Sequence, residues 1–202
     1  MLFRSKLRTL PGRLHDPLRR RKPTVFFVNS MSDLFHDDVP FAYIDRVMQT
    51  IGEAHWHTFQ VLTKRAERLA EYFAGKQIPP NAWIGVSVED RRHGVPRIEL
   101  LRSVAARIRF LSIEPLLEDL GELDLSGIQW VIVGGESGAD ARPMQAAWVR
   151  RIRTMCEAQG VRFFFKQWGS WGPDGKRRSK ANNGRELDGQ IFDAMPTLFA
   201  AA

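Results

Sequence analysis

Six short apolar runs, rich in β-branched and aromatic residues, recur along this 202-residue chain, and each stops abruptly against polar residues. They are TVFFVN (24–29), HTFQVLT (57–63), AWIGVSV (82–88), RIRFLSI (107–113), IQWVIV (128–133) and VRFFFKQW (161–168). The runs are continuous rather than alternating, as expected of parallel strands covered on both faces. Most lead into stretches of helical spacing: FAYIDRVMQTIGEA, KRAERLAEYFAG, VPRIELLRSVAA and AAWVRRIRTMCEAQG. Ile98, Leu101 and Ala105 share one helical face, as do Val149, Ile152 and Cys156. Successive strand starts lie about 21–33 residues apart, a spacing that suits βα units. The pattern predicts an α/β domain of about six parallel strands, either an open doubly wound sheet or a partial (β/α) barrel. It divides the chain into a leader (1–22), the α/β domain (23–169) and an irregular Gly- and charge-rich C-terminal extension (170–202).

The net charge of +7 suggests a nucleic-acid partner until it is located. Arg4, Lys6, Arg8, Arg13, Arg19, Arg20, Arg21 and Lys22 stand against Asp16 alone in the leader, which therefore carries the whole +7. The body is neutral. The leader reads either as a solvated basic segment or as an arm for nucleic acid. It lacks the apolar stretch of a secretory signal, and no apolar run approaches 18 residues, so a cytoplasmic protein without a membrane partner is expected. The single cysteine, Cys156, excludes an internal disulfide or multi-cysteine metal site and sits at a helical position among apolar neighbours.

The polar residues are informative by position. Strand ends carry Asn29, Ser30, Ser32 and Asp33; Lys64 and Arg65; Ser87, Glu89 and Asp90; Ser112 and Glu114; Glu136 and Ser137; Lys166, Gln167 and Trp168. Both candidate folds gather these ends on one face, where sites are built. In SIEP, LTK and FKQW a polar or charged residue abuts a buried run, which demands a partner or a ligand. Named chemistries fail one by one around WVIVGGESGADARP (130–143). Ser137 lacks the second flanking glycine of a nucleophile elbow, where Ala139 stands, and Gly134, Gly135 and Gly138 miss the dinucleotide-binding spacing. Backbone anion binding at Gly134–Gly138 stays open, as does Glu136 directed at an amine, hydroxyl or main-chain ligand. A plain Gly-rich turn explains the motif equally well. His36, His55 and His57 have no metal-ligand spacing and read as surface or turn residues.

Together, VFFVNSMSDLFHDDVP, HTFQVLTKRAERL, WIGVSVED, RFLSIEPLL, WVIVGGESGADARPM and FFFKQWGSW resemble a phage- and prophage-associated family of unassigned function, over residues 13–195. That family is similar to the radical S-adenosylmethionine (SAM) proteins, and VLTKR with SMSD resembles the spore photoproduct lyase group. The resemblance implies a partial (β/α) barrel. In full-length relatives it also implies SAM, a four-iron four-sulfur cluster on three cysteines, and radical chemistry on nucleic acid or its precursors. It assigns Ser30, Ser32 and Asp33 to the region of the SAM amino group, and Ser87, Glu89, Ser112 and Glu114 to the pocket middle. Gly134, Gly135 and Glu136 fall near the adenine or methionine part. Lys64, Arg65, Lys166 and Gln167 become candidates for a substrate carboxylate or phosphate. A neighbouring phage-encoded protein is a candidate partner. No cysteine precedes TVFFVN, so the resemblance implies a truncated member or a cluster-less one without radical chemistry. The remaining alternatives are a non-catalytic module binding nucleic acid or protein, and an iron-independent SAM- or nucleotide-binding enzyme.

Overall fold

The computed structural model describes residues 7–197; Arg4, Lys6 and the last five residues of the chain lie outside it. Six strands follow the apolar runs to within two residues: β1 (Val25–Val28), β2 (Thr58–Thr63), β3 (Ala82–Ser87), β4 (Ile108–Ile113), β5 (Trp130–Gly134) and β6 (Arg162–Gln167). All are parallel and hydrogen-bonded in strict sequence order. A doubly wound sheet would reverse its order at a switch point. An unbroken order with right-handed crossovers instead places every connection on one face, and the sheet curls into a half-barrel.

The connections are α2 (Phe41–Glu53), α3 (Ala66–Phe73), α4 (Arg97–Arg102) and α5 (Ala146–Ala158), with α1 (Asp16–Arg19) in the leader. No helix joins β4 to β5; residues 114–129 cross as loop. The helices bury Ile44, Leu69, Leu101 and Val149 against the strand residues Val61, Ile84, Leu111 and Val133. Burying such side chains is worth about 1.5–3 kcal/mol each before the entropy of ordering them is set against it.

Among the described residues no helix lies on the opposite face, which differs from the expectation of cover on both sides. It is concave, and a second cluster of Trp83, Ile108, Phe110 and Trp130, with Leu62, Ile132 and Phe164 at its margin, fills its base. Gly85 makes this floor fit, since a Cβ there would lie 2.5 Å from the Phe110 ring. Apolar side chains on both faces thus explain the continuous runs, although helices cover only one. Cys156 is fully buried on the core-facing side of α5, and burial pushes its thiol up to about 12, as suits a structural cysteine.

The sheet's two edges differ. The extension contains α6 (Lys180–Asn183), β7 (Glu186–Leu187) and β8 (Gln190–Ile191), then returns along β6. The Phe165 N–H donates to Phe192 O at 2.9 Å, and Trp130 Nε1 donates to Ala194 O at 2.8 Å. At the other edge, among the described residues, β1 pairs only with β2, and Val25, Phe27 and Met31 are exposed.

The leader's basic residues from Arg8 to Lys22 are exposed, as in the solvated reading, while Leu7, Leu14 and Leu18 pack against the core. One expectation is corrected. His57 is not a surface residue but fully buried. The Thr24 N–H donates to its Nδ1 at 3.1 Å, which leaves Nε2 protonated to donate to Pro17 O at 3.1 Å. The histidine therefore ties the leader to β1 and β2.

Candidate functional site

Side chains alternate along a strand, so every second residue of the half-barrel points into its concavity. The parallel register stacks these residues in layers. Leu62, Gly85, Phe110 and Trp130 form one layer, and Ser87, Ser112, Ile132 and Phe164 form the next. Two residues further on stand Glu89 and Glu114, just past the ends of β3 and β4, and Lys166, near the end of β6. Aromatic floor, serine layer and charged rim thus follow one another toward the strand C-termini.

Two carboxylates organise the rim. Glu89 is 7% exposed and is paired with Lys64 on one oxygen and with Arg97 Nη1 at 2.7 Å on the other. Arg97 reaches over from α4 and also donates to Ser87 O at 2.7 Å. Burial raises the Glu89 carboxyl, but hydrogen bonds from Lys64, the backbone and Arg97 outweigh it and hold the group below its usual range. Glu114 accepts from Lys166 Nζ at 2.8 Å and from Gln167 Nε2 at 2.9 Å. The Lys64 and Lys166 side chains remain about half exposed, at 57% and 49%, so both ammonium groups keep a face toward solvent.

Asp33 belongs to a different arrangement. It accepts from Thr63 Oγ1 at 2.7 and 2.9 Å, from the Lys64 N–H at 3.1 Å, from the Phe35 N–H at 2.9 Å and from Arg65 Nη1 at 3.4 Å. Its lone pairs are spent fixing the β1 loop to the end of β2. Ser30 and Ser32 are exposed in the turn that Asn29 opens at φ 56°. Ser87 and Ser112 are buried side by side in register.

The glycines of WVIVGGESG serve their own chain. A Cβ on Gly135 would lie 1.9 Å from Trp168 O, and one on Gly134 would lie 3.0 Å from Glu114 Oε1. The N–H of Gly135 is taken by Gln167 O at 2.9 Å and that of Gly138 by Ser170 Oγ at 3.1 Å. Glu136 is clasped by Arg142 through its backbone N–H at 2.9 Å, Nε at 2.8 Å and Nη2 at 2.8 Å. These bonds hold its carboxyl down at about 2. The motif is a self-closing loop beside the rim.

Sequence reasoning did not find Arg97, which lies on a helix, or Arg185, which lies in the extension. The Arg185 guanidinium stands 5.0 Å from the Phe164 ring centroid at the edge of the concave floor. A cleft of about 1230 Å³ lies elsewhere, between the leader and the outer side of β1, with Leu7, Leu14, Phe26, Val28 and Val47 among its walls. It reaches Ser32 and Asp33 but none of the rim carboxylates. The charged groups converge on the concave face, which is therefore the candidate site.

Among the described residues no group of three or more His, Cys, Asp and Glu side chains could hold a metal ion, and no helix is long and apolar enough to cross a membrane. A family model described as "Protein of unknown function (DUF5131)" matches residues 1–196. No curated protein and no solved structure matches the chain.

Proposed function

The chain belongs to the DUF5131 family of proteins of unknown function, and on that footing we propose that it is a ligand-binding half-barrel of the radical SAM type that takes SAM on its concave, strand-end face. One observation carries the reading: Glu89 and Glu114 end adjacent strands of a helix-free face, each held by a half-exposed lysine. Those carboxylates offer acceptors to an α-ammonium group. Lys64 can turn from Glu89 to an α-carboxylate, since Arg97 keeps the other Glu89 oxygen. The Ser87–Ser112 layer offers hydroxyls to a ribose. The resemblance to phage-borne proteins supports the same reading.

Bound SAM supplies an electrophilic sulfonium centre. A four-iron four-sulfur cluster needs three thiolates, and the only cysteine of this chain is the core-facing Cys156. The residues present do not fit the cluster, and no radical step is assigned to them. What the chain's own groups do is bind, orient and exclude water above an aromatic floor.

Calorimetry with SAM tests the proposal. The expected result is stoichiometric binding that falls at least tenfold in Glu114→Gln, whose fold is checked by circular dichroism. Absence of binding to the folded wild-type protein overturns it. Anaerobic iron–sulfide reconstitution is expected to yield no cluster absorbance.

A second reading, nucleic-acid binding along the leader, is favoured by the outward-facing Arg20, Arg21 and Lys22 on a segment docked through its leucines. Its mark is salt-sensitive binding that is lost when these three become glutamine. Binding that persists in the folded variant refutes it.

A further inference from the structure

Arg185 is the one rim-side cation whose buried nitrogens lack an acceptor. Its Nε and Nη2 are shielded from solvent and have no hydrogen-bond partner among the described residues. Stacking on Phe164 offsets part of the desolvation of the guanidinium but satisfies none of its N–H groups. A buried donor left unpaired is costly, and a guanidinium presents a fork matched to oxyanions.

Its position makes that oxyanion part of the concave site. Phe164 belongs to the cluster on the inner face, and Lys166 follows two residues later on the same side of β6, one repeat of about 6–7 Å along the strand. Arg185 and Lys166 therefore flank a single patch at the β6 end. The Arg185 fork calls for two acceptor oxygens and Lys166 for a third; a carboxylate has two, whereas a phosphomonoester presents three at a charge of about −1.5 to −2 near neutral pH.

We propose that Arg185, with Lys166, forms a phosphate-binding subsite, so that the molecule handled on the concave face beside SAM bears a terminal phosphate. The proposal deepens the SAM reading by naming the second ligand's chemistry, and it rests on the same face being the site. Phosphate is seated between the Arg185 fork and Lys166 Nζ. Glu114 releases Lys166 toward it and keeps Gln167 as its remaining partner.

Tryptophan fluorescence provides the readout, since Trp83 and Trp130 lie in the floor beneath Phe164. The probes are inorganic phosphate, cytidine 5′-monophosphate and cytidine. The monophosphate is expected to bind about tenfold or more tightly than cytidine, as one charge-assisted recognition would give. Competition by inorganic phosphate alone would show that the subsite takes the free ion as well. Arg185→Gln is expected to erase the difference, and Arg185→Lys to keep part of it, because the charge survives and the fork does not. Thermal unfolding checks both folds, and the lysine variant carries the test if the glutamine variant does not fold. Equal binding of monophosphate and nucleoside overturns the proposal, as does a phosphate preference that survives in folded Arg185→Gln. SAM calorimetry on the same samples separates the two readings. SAM binding without phosphate preference defeats only the subsite, and phosphate preference without SAM binding defeats only the SAM reading.

Discussion

Gly135 and the Trp168 carbonyl are in backbone contact, so close that a Cβ would lie 1.9 Å from the oxygen. Gly169 returns the contact from the other strand, where a Cβ would lie 2.1 Å from Glu136 O at a φ of 83°. Neither side has a flexible side-chain end that could yield. Gly135→Ala is therefore expected to destabilise the protein by roughly 3 kcal/mol and to loosen the Gln167–Glu114 bond beside it. Urea denaturation checks the first effect. An unchanged midpoint would show that β5 and β6 can part at that end without penalty.

Arg142 holds the Glu136 carboxyl from 4.5 down to about 2. A carboxyl depressed in the folded state stabilises that state above its unfolded pKa, and this contribution is lost as pH falls through the folded one. The loop 136–142 should therefore loosen between about pH 4.5 and 2. In Arg142→Gln the Glu136 carboxyl should rise toward its ordinary value yet stay below it, because the residue 142 N–H still donates, as read by carbon-detected NMR. A titration near 2 in that variant would assign the depression to another group.

His57 joins three segments through two hydrogen bonds from a fully buried ring. His57→Ala leaves a cavity and an unpaired Thr24 N–H, while the Pro17 carbonyl keeps the Arg20 N–H alone, at a cost of about 2–4 kcal/mol. Hydrogen exchange should then rise in residues 7–22 before it rises in the sheet. Uniform acceleration throughout would mean that the leader is not a separate docking unit.

The exposed edge at β1 has a predictable liability. Val25 and Phe27 are 52% and 47% exposed on a strand whose outer N–H and C=O groups have no neighbouring strand. Natural edges are guarded by charge, lysine above all. Phe27→Lys should slow aggregation on heating with little change in the unfolding midpoint. Faster aggregation would place the vulnerable surface elsewhere.

The strands were legible because burial on two faces writes itself as a continuous apolar run, and the rim because an acid directly after such a run needs a cation. Glu89 and Glu114 have theirs in Lys64 and Lys166, each on the inner side of another strand. Arg97 and Arg185 carried no comparable signal, since an arginine on a helix or in a polar extension reads as solvated. The leader did carry one. Leu7, Leu14 and Leu18 repeat at helical spacing, but the surrounding arginines dominate its composition and hide an apolar stripe. His57 was misread for a related reason: what makes it structural is the pair of backbone groups from residues 17 and 24, which meet it only after folding.

Because strand order repeats chain order without a break, the rim is an arc with two ends rather than a closed ring. Asp33 stands at one end and Gln167 at the other, and each intervening loop governs its own sector. A closed mouth admits only what can be threaded into it. This one is open on the β1 side, where Val25 and Phe27 stand exposed, so the floor can be reached along the sheet as well as from above.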